Sequence, residues 1–125
     1  MKYLVSLVVS GVVLACNAAL AVDQYELTAE STSRNPGVPT GKVEAFAYQE
    51  SKVFADTSRD CWLYVPAQYD GSQPAALMVF QDGHAYVSEK GQMRAPIVFD
   101  NLIASGDMPI TIGLFVNPGH KGKAE

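Results

Sequence analysis

The residues best placed to do chemistry follow a short apolar run near the middle of the chain. Residues 77–80 are continuous hydrophobics, a pattern typical of a strand buried on both faces of a covered parallel sheet. The run ends at Asp82-Gly83-His84-Ala85, where the Asp-Gly pair predicts a tight turn. Ligands and catalytic groups of open α/β sheets gather just beyond the carboxyl ends of the strands. This tetrapeptide is therefore the first candidate site, and a plain connecting turn is the alternative.

The other serines, cysteines and histidines do not lie in patterns that support catalysis or metal binding. Ser72 falls in a polar loop and Ser105 near a helix end, and neither has a histidine close to it in the sequence. Cys61 lies in an apolar strand and is expected to be a buried thiol. His84 and His120 lie in separate loops and lack the ligand spacing of a zinc site. The sequence therefore predicts no metal site and no complete catalytic set.

Length, composition and charge narrow the class of protein. With 125 residues the chain is expected to form one domain at most. A hydrophobic share of 48% and a charged share of 18% are typical of a globular protein. The net charge is −4 and there is no basic run, so a nucleic-acid partner is not expected.

Residues 1–21 have the composition of a signal peptide. Lys2 provides the positive start, residues 3–15 are almost entirely apolar, and residues 19–21 form a small-x-small cleavage pattern. The apolar run is shorter than a comfortable membrane span. We therefore expect export, either to the periplasm or out of the cell. An alternative interpretation is a bacterial lipobox ending at Cys16, which would then carry a lipid anchor.

The elements around the Asp-Gly-His-Ala turn predict an α/β arrangement. Residues 22–41 are rich in Ser, Thr, Pro and Gly and predict a flexible, exposed leader. Two strands separated by a short turn then predict an antiparallel pair. A third strand, a helix that begins at Pro96 and stops before Gly106, and a fourth strand predict a parallel βαβ unit. The predicted strand bounds are 42–49, 61–65, 76–81 and 110–116, followed by an unstructured tail, 120–125.

Several motifs, in this order, resemble esterases related to enterochelin esterase. They are YVPAQYDGSQPAALMVFQDGHAYV and, further along the chain, PIVFDNLIASGDMPITIGLFVNPG. That family has the α/β-hydrolase fold, and the resemblance extends over residues 43–119. It implies that residues 42–119 form the amino-terminal half of such a domain. The implied activity is serine-dependent hydrolysis of a small-molecule carboxylic ester, with no metal or organic cofactor.

The resemblance also assigns roles to the loop after the third strand. In this fold that loop lends a backbone N–H to the oxyanion hole. The matching residues are Gly83, His84 and Ala85, with Asp82 orienting the loop. Gly83 is expected to permit the sharp bend, because glycine reaches backbone angles that other residues avoid. Tyr86 and the side chain of His84 are the candidates for lining the substrate pocket.

The sequence departs from the family pattern at the nucleophile. In the family, the catalytic serine, acid and histidine lie beyond the fourth strand, and no G-x-S-x-G turn occurs in this sequence. The resemblance therefore implies an amino-terminal fragment without the catalytic triad, which we expect to be inactive alone. In the family's strand order a further strand pairs with the third, so residues 77–80 are expected to form an exposed apolar edge.

A non-catalytic function is the alternative. An exported binding module could use residues 82–86 to hold a sugar or a siderophore-like ligand. Tyr64, Tyr69 and Tyr86 would suit such a ligand, because aromatic rings combine a large apolar surface with a polar group. Plain packing in the core is the other interpretation of these three side chains.

Overall fold

The computed structural model describes residues 26–122. The predicted signal peptide, its cleavage site and Cys16 lie outside the described residues. The described chain forms, in order, α1 (Ala29–Thr32), β1 (Lys42–Tyr48), β2 (Thr57–Val65), β3 (Ala76–Gln81), α2 (Gly83–Val87), α3 (Ala95–Ser105), β4 (Thr111–Val116) and β5 (His120–Lys121).

The main sheet has the strand order β1-β2-β4-β3. Strand β1 pairs antiparallel with β2, with Lys42 opposite Val65. Strands β3 and β4 are parallel, with Ala76 opposite Thr111, and α3 makes the crossover between them. Strand β2 joins the two pairs by running antiparallel to β4. An antiparallel strand pair followed by a βαβ unit is the predicted α/β arrangement, and it is confirmed.

Helix α3 forms where its local signals predict a helix, and it buries one face against the sheet. Pro96 lies in its first turn, where the missing N–H leaves no bond unmade. Gly106 ends the helix in the left-handed conformation, with a φ of 81°. Phe99 packs edge-on against Tyr64, with ring centroids 5.5 Å apart, and it also contacts Phe80. Ile103 and Phe115 complete the core cluster together with Tyr64, Ala95 and Phe99.

The opposite face of the main sheet is not covered by any helix of residues 26–122. Because side chains alternate along a strand, this open sheet face carries the residues next to those of the core. An apolar groove of about 320 Å³ crosses it. The groove is lined by Phe46, Tyr48, Arg59, Cys61, Leu114 and Val116.

Strand β3 was predicted to be buried on both faces, and in the described chain it is not. Leu77 is 64% exposed and Val79 is 51% exposed. Both belong to the open sheet face, and within residues 26–122 β3 pairs with β4 alone. The apolar run is typical of a strand in a covered sheet, but in residues 26–122 only Phe80 of β3 is partly buried against the core. The expected exposed apolar edge is confirmed.

The predicted flexible leader is partly wrong, because residues 28–41 are folded against α3. Arg34 Nε donates to Asp100 Oδ2 at 2.6 Å, and the Gly41 amide donates to Asp100 Oδ1 at 2.8 Å. The Asn35 amide donates to Asn101 Oδ1 at 2.8 Å. The composition predicted exposure correctly for most side chains of this segment, but it could not indicate these partners. We call residues 28–41 the amino-terminal strap.

Two further elements replace predicted irregular chain. Helix α2 occupies the start of the predicted loop after β3. In the predicted tail, β5 pairs antiparallel with the start of β2, so that His120 lies opposite Ser58. Strand β2 correspondingly begins at Thr57, four residues before the predicted start. Each of these elements depends on a partner distant in the chain, which local patterns do not reveal.

Candidate functional site

The predicted oxyanion loop lies at the carboxyl edge of the parallel strand pair. In the register of β3 and β4, Gln81 lies opposite Val116, so the two strands end side by side. Asp82 and α2 follow the first strand, and Asn117 follows the second. The structure therefore brings the Asp-Gly-His-Ala turn to the sheet edge where α/β proteins place their ligands.

The backbone conformations of Asp82 and Gly83 differ from the prediction, which assigned the sharp bend to Gly83. Asp82, not the glycine, takes the left-handed conformation, with a φ of 53°. Aspartate tolerates this region better than most residues with side chains. Gly83 is instead needed for close approach, because a Cβ atom there would lie 2.5 Å from the Val116 nitrogen and 2.6 Å from the Phe115 carbonyl carbon. The absence of a side chain lets the loop rest directly on the end of β4.

Asp82 contacts α2 through its backbone and not through its side chain. Its side chain makes no capping hydrogen bond to α2. Its carbonyl oxygen accepts a hydrogen bond from the Ala85 amide at 2.9 Å. The orienting role of Asp82 stays a prediction, and the contacts that would serve it are the left-handed backbone and the carbonyl oxygen.

His84 is joined to Asn117 by two contacts. The His84 amide donates to Asn117 Oδ1 at 3.0 Å, and His84 Nδ1 lies 2.9 Å from the same oxygen. The backbone N–H of Asn117 donates to the Asp60 carbonyl oxygen at 2.9 Å, which connects Asn117 to β2. Asn117 is a site residue that the sequence analysis missed. Its signal was its position directly after β4, at the same sheet edge as the predicted loop.

The amides of the three predicted oxyanion residues are not equivalent. Those of His84 and Ala85 already donate within the protein, to Asn117 Oδ1 and to the Asp82 carbonyl. Neither bond involves the Gly83 amide. Gly83, the buried residue of α2, is therefore the one of the three whose N–H these two bonds leave unused.

Two of the three aromatic candidates for ligand binding, Tyr64 and Tyr86, pack against the core. The ring of Tyr86 is half-buried and packs against Phe80, with centroids 5.0 Å apart. Tyr64 is fully buried, and its hydroxyl donates to Asp100 Oδ1 at 2.6 Å. Burial and the neighbouring Asp100 carboxylate both raise the pKa of the Tyr64 hydroxyl. Tyr69 is half-buried in the loop after β2. Tyr64 is thus closed to a ligand in this fold.

The remaining potential nucleophiles lie away from the loop. Ser105 donates to Asp107 Oδ2 at 2.7 Å, at the edge of the sheet where β4 begins. Ser72 belongs to the exposed loop between β2 and β3, where its amide donates to Asp70. Cys61 is buried, and burial raises the pKa of its thiol. Among the hydrogen bonds of residues 26–122, none joins a serine or cysteine side chain to a histidine.

Within residues 26–122, no group of three or more His, Cys, Asp or Glu side chains could hold a metal ion. None of the helices in that part of the chain has the length and apolar character needed to cross a membrane.

Similarity to known proteins is found in structure and not in sequence. No family model matches the chain, and no curated protein is significantly similar to it. A structure of a protein named FAE has a TM-score of 0.59 at 13% identity, over 79% of this chain and 34% of that one.

Two more solved structures come from named organisms. A mutant of the feruloyl esterase module from Clostridium thermocellum, complexed with sinapinate, has a TM-score of 0.54 at 15% identity, over 74% of this chain and 31% of that one. The CE1 ferulic acid esterase AmCE1/Fae1A from the anaerobic fungus Anaeromyces mucronatus has a TM-score of 0.57 at 18% identity, over 71% and 33%.

These likenesses concern the fold. The chain has an esterase-like α/β arrangement of the α/β-hydrolase type, as predicted, and it spans about a third of the length of the structures that it matches. The activity, substrate and partners of those larger proteins do not follow from the fold alone.

Proposed function

We propose that this chain is the amino-terminal part of an exported carboxylic-ester hydrolase and supplies the oxyanion loop of its active site. The observation that supports this most directly is the position of Gly83. Its backbone rests on the end of β4 at the carboxyl edge of the sheet, and the amides of the next two residues are already engaged. The Gly83 amide is the donor that a developing oxyanion would meet.

The chemistry assigned to Gly83 is electrostatic. During ester hydrolysis the carbonyl oxygen of the substrate gains negative charge as the nucleophile attacks its carbon. A backbone N–H held in place before the reaction stabilises that charge, and loss of one such donor typically slows turnover by about 100- to 1000-fold. The packing of Gly83 against β4 provides such a fixed donor.

The nucleophile, base and acid must come from polypeptide other than residues 26–122. No serine of the described chain is hydrogen-bonded to a histidine, and a serine without a base has no efficient route to an acyl-enzyme. The matching of only a third of each esterase structure is consistent with this division. We assign the chain to the enterochelin esterase-like family on its motifs. By the names of its structural neighbours, an ester of a hydroxycinnamic acid such as ferulic acid is the substrate class to test first.

Two assays test the proposal. The first compares hydrolysis of methyl ferulate and of a chromogenic acetate ester by this chain alone and by this chain joined to the polypeptide encoded after codon 125. We expect no turnover by the chain alone. We expect the joined protein to hydrolyse the esters and, in a separate experiment, to be labelled by a serine-reactive inhibitor. Turnover by the chain alone, or inhibitor attached to Ser72 or Ser105, would contradict the proposed division.

The second assay concerns export. Mass spectrometry of the mature amino terminus is expected to show cleavage after Ala21. A lipid attached to Cys16 would instead support an anchored envelope protein. An intact Met1 in fractionated cells would count against export in either form.

A further inference from the structure

The pair formed by His84 and Asn117 points to a second function of the loop, apart from the oxyanion donor. Asn117 Oδ1 receives the His84 amide, and a backbone amide can only donate. The side-chain atom that faces it must therefore be the oxygen of Asn117 and not its nitrogen. This contact settles the orientation of the Asn117 amide group from the hydrogen-bond network.

The orientation of Asn117 determines which nitrogen of His84 carries the proton. Nδ1 lies 2.9 Å from the same oxygen, and an amide oxygen can only accept. In the neutral ring Nδ1 must therefore be the protonated nitrogen, which leaves Nε2 with a free lone pair. Histidine in water favours the other tautomer, so the protein selects this form.

The ring of His84 belongs to an exposed residue beside Gly83. His84 is an exposed residue, and it directly follows Gly83 in the first turn of α2. The two contacts that hold His84 come from the end of β4, so the ring is attached to the rigid sheet and not to a free loop. A neutral Nε2 without a proton cannot stabilise an oxyanion, but it can accept a hydrogen bond from a hydroxyl group.

We propose that His84 is a substrate-binding residue whose Nε2 accepts a hydrogen bond from a hydroxyl group of the ester substrate, and that Asn117 is its positioning residue. This inference rests on the proposed function for the identity of the ligand as an ester. The hydroxyl could belong to a phenolic acyl group or to a polyol on the alcohol side. The shared chemistry is a hydroxyl donor within reach of Nε2.

Nuclear magnetic resonance of the ¹⁵N-labelled full chain tests the tautomer directly. The chain has two histidines, so His120→Gln leaves His84 as the single imidazole signal. At a pH where the ring is neutral, we expect long-range ¹H–¹⁵N correlations to show a protonated Nδ1 and an unprotonated Nε2. Asn117→Asp keeps an accepting oxygen and should preserve this tautomer, whereas Asn117→Leu should shift the ring towards the Nε2–H form. A wild-type ring in the Nε2–H form would overturn the proposal.

Binding of small probes tests the acceptor. Phenol carries a hydroxyl donor and anisole is its methylated counterpart, while glycerol represents a polyol. We expect one of the two hydroxyl probes, phenol or glycerol, to shift the Nε2 resonance of His84. The affinity of that probe should exceed the affinity of anisole by roughly fivefold, the difference expected from one hydrogen bond. A response to phenol identifies the acyl side, and a response to glycerol the alcohol side. Equal titration by phenol and anisole, with no response to glycerol, would refute the acceptor role.

The two proposals fail separately. If Asn117→Leu does not fold, the tautomer of the wild-type ring and the pair of phenol and anisole still decide the question. Absence of turnover in the joined protein would count against the oxyanion loop without changing the tautomer. An active joined protein in which His84→Phe leaves KM for methyl ferulate unchanged would remove His84 from substrate binding and leave the esterase proposal intact.

Discussion

At the scale of single residues, Gly83 shows how a loop residue can be required for its lack of a side chain. Its φ is not in the left-handed region, so its role is close approach to β4 and not conformational freedom. An alanine methyl group would overlap backbone atoms of Phe115 and Val116, which belong to a paired strand and cannot easily move. The start of α2 and the end of β4 are therefore coupled at one position.

We predict that Gly83→Ala destabilises the protein. Overpacking of this kind typically lowers the free energy of unfolding by about 1–3 kcal/mol. Urea denaturation followed by circular dichroism measures the change. Gly91→Ala is the matched control, because a Cβ atom there would meet its nearest neighbours at 3.4 Å, an ordinary contact. Equal stability of Gly83→Ala and the wild type would show that the loop is not packed as described.

Tyr64 is the second residue whose polar atom carries a clear structural role. Its hydroxyl donates to the fully buried carboxylate of Asp100. Tyr64→Phe should lower the free energy of unfolding by about 1.5–3 kcal/mol, the range for hydrogen bonds to charged groups. Tyr48→Phe, at a tyrosine that is 44% exposed, should change it by less than about 0.5 kcal/mol. A similar loss in both variants on thermal melting would contradict the importance of the buried bond.

At the scale of elements, the amino-terminal strap and α3 act as one structural unit. Asp100 accepts hydrogen bonds from the strap at Arg34 and Gly41 and from β2 at Tyr64, so a single buried carboxylate joins three elements. Arg34 also bonds Glu89 at 2.5 Å, which connects the strap to the chain between α2 and α3. Truncation of the strap should therefore disturb the core as well as the surface.

The Arg34–Glu89 pair predicts part of the acid sensitivity of the fold. The hydrogen bond from Arg34 holds the pKa of Glu89 below its ordinary value of 4.5. Ionised Glu89 therefore stabilises the folded chain above that ordinary value, and the contribution is lost as the pH falls through the lower pKa of the folded state. Because the Glu89 side chain is 47% exposed, the effect should stay below about 1 kcal/mol.

Glu89→Gln should accordingly make the free energy of unfolding fall less steeply as the pH is lowered. At neutral pH the variant should lose only the small contribution of the Arg34–Glu89 pair. Denaturation midpoints measured between neutral and acid pH provide the comparison. Glu44→Gln is the control, since Glu44 pairs with Lys42 on the exposed strand β1. An unchanged acid limb in Glu89→Gln, or an equal change in both variants, would remove Glu89 from the explanation.

At the scale of the whole molecule, the described chain has a covered face and an open one. All three helices pack on the side of Phe99 and Phe115, whereas the open sheet face presents Leu77 and Val79 next to the unpaired edge of β3. Exposed apolar edge strands are templates for pairing with another chain. We expect this surface to dominate the solution behaviour of the chain when it is alone.

Self-association of the purified chain should therefore depend on β3. Val79→Lys introduces a charge on the open sheet face beside this edge and is expected to reduce the apparent mass in light scattering. Val53→Lys is the matched control, because Val53 is 83% exposed but lies outside the sheet. If the two lysine variants reduced association equally, a general effect of charge and not the β3 edge would be responsible.

Much of the architecture could be predicted because its signals are local. The apolar run before Gln81 predicted β3 with its observed bounds, and Pro96 and Gly106 marked the ends of α3 within one residue. The Asp-Gly pair also predicted where the candidate site begins. Each of these features depends on residues that are adjacent or a few positions apart. Backbone preference and the period of hydrophobic residues are properties that such short segments already possess.

The partners of the functional and buried polar groups were decided only by the tertiary structure. His84 meets Asn117 across 33 positions, and Arg34 meets Asp100 across 66. Neither pair has a local signal, because it depends on the register of β3 with β4 and on the side of the sheet that α3 covers. The amino acid sequence thus determined on its own which segments form strands and helices. The folded chain determined that Asn117 Oδ1 meets Nδ1 of His84, because only packing brings a second strand end to that ring.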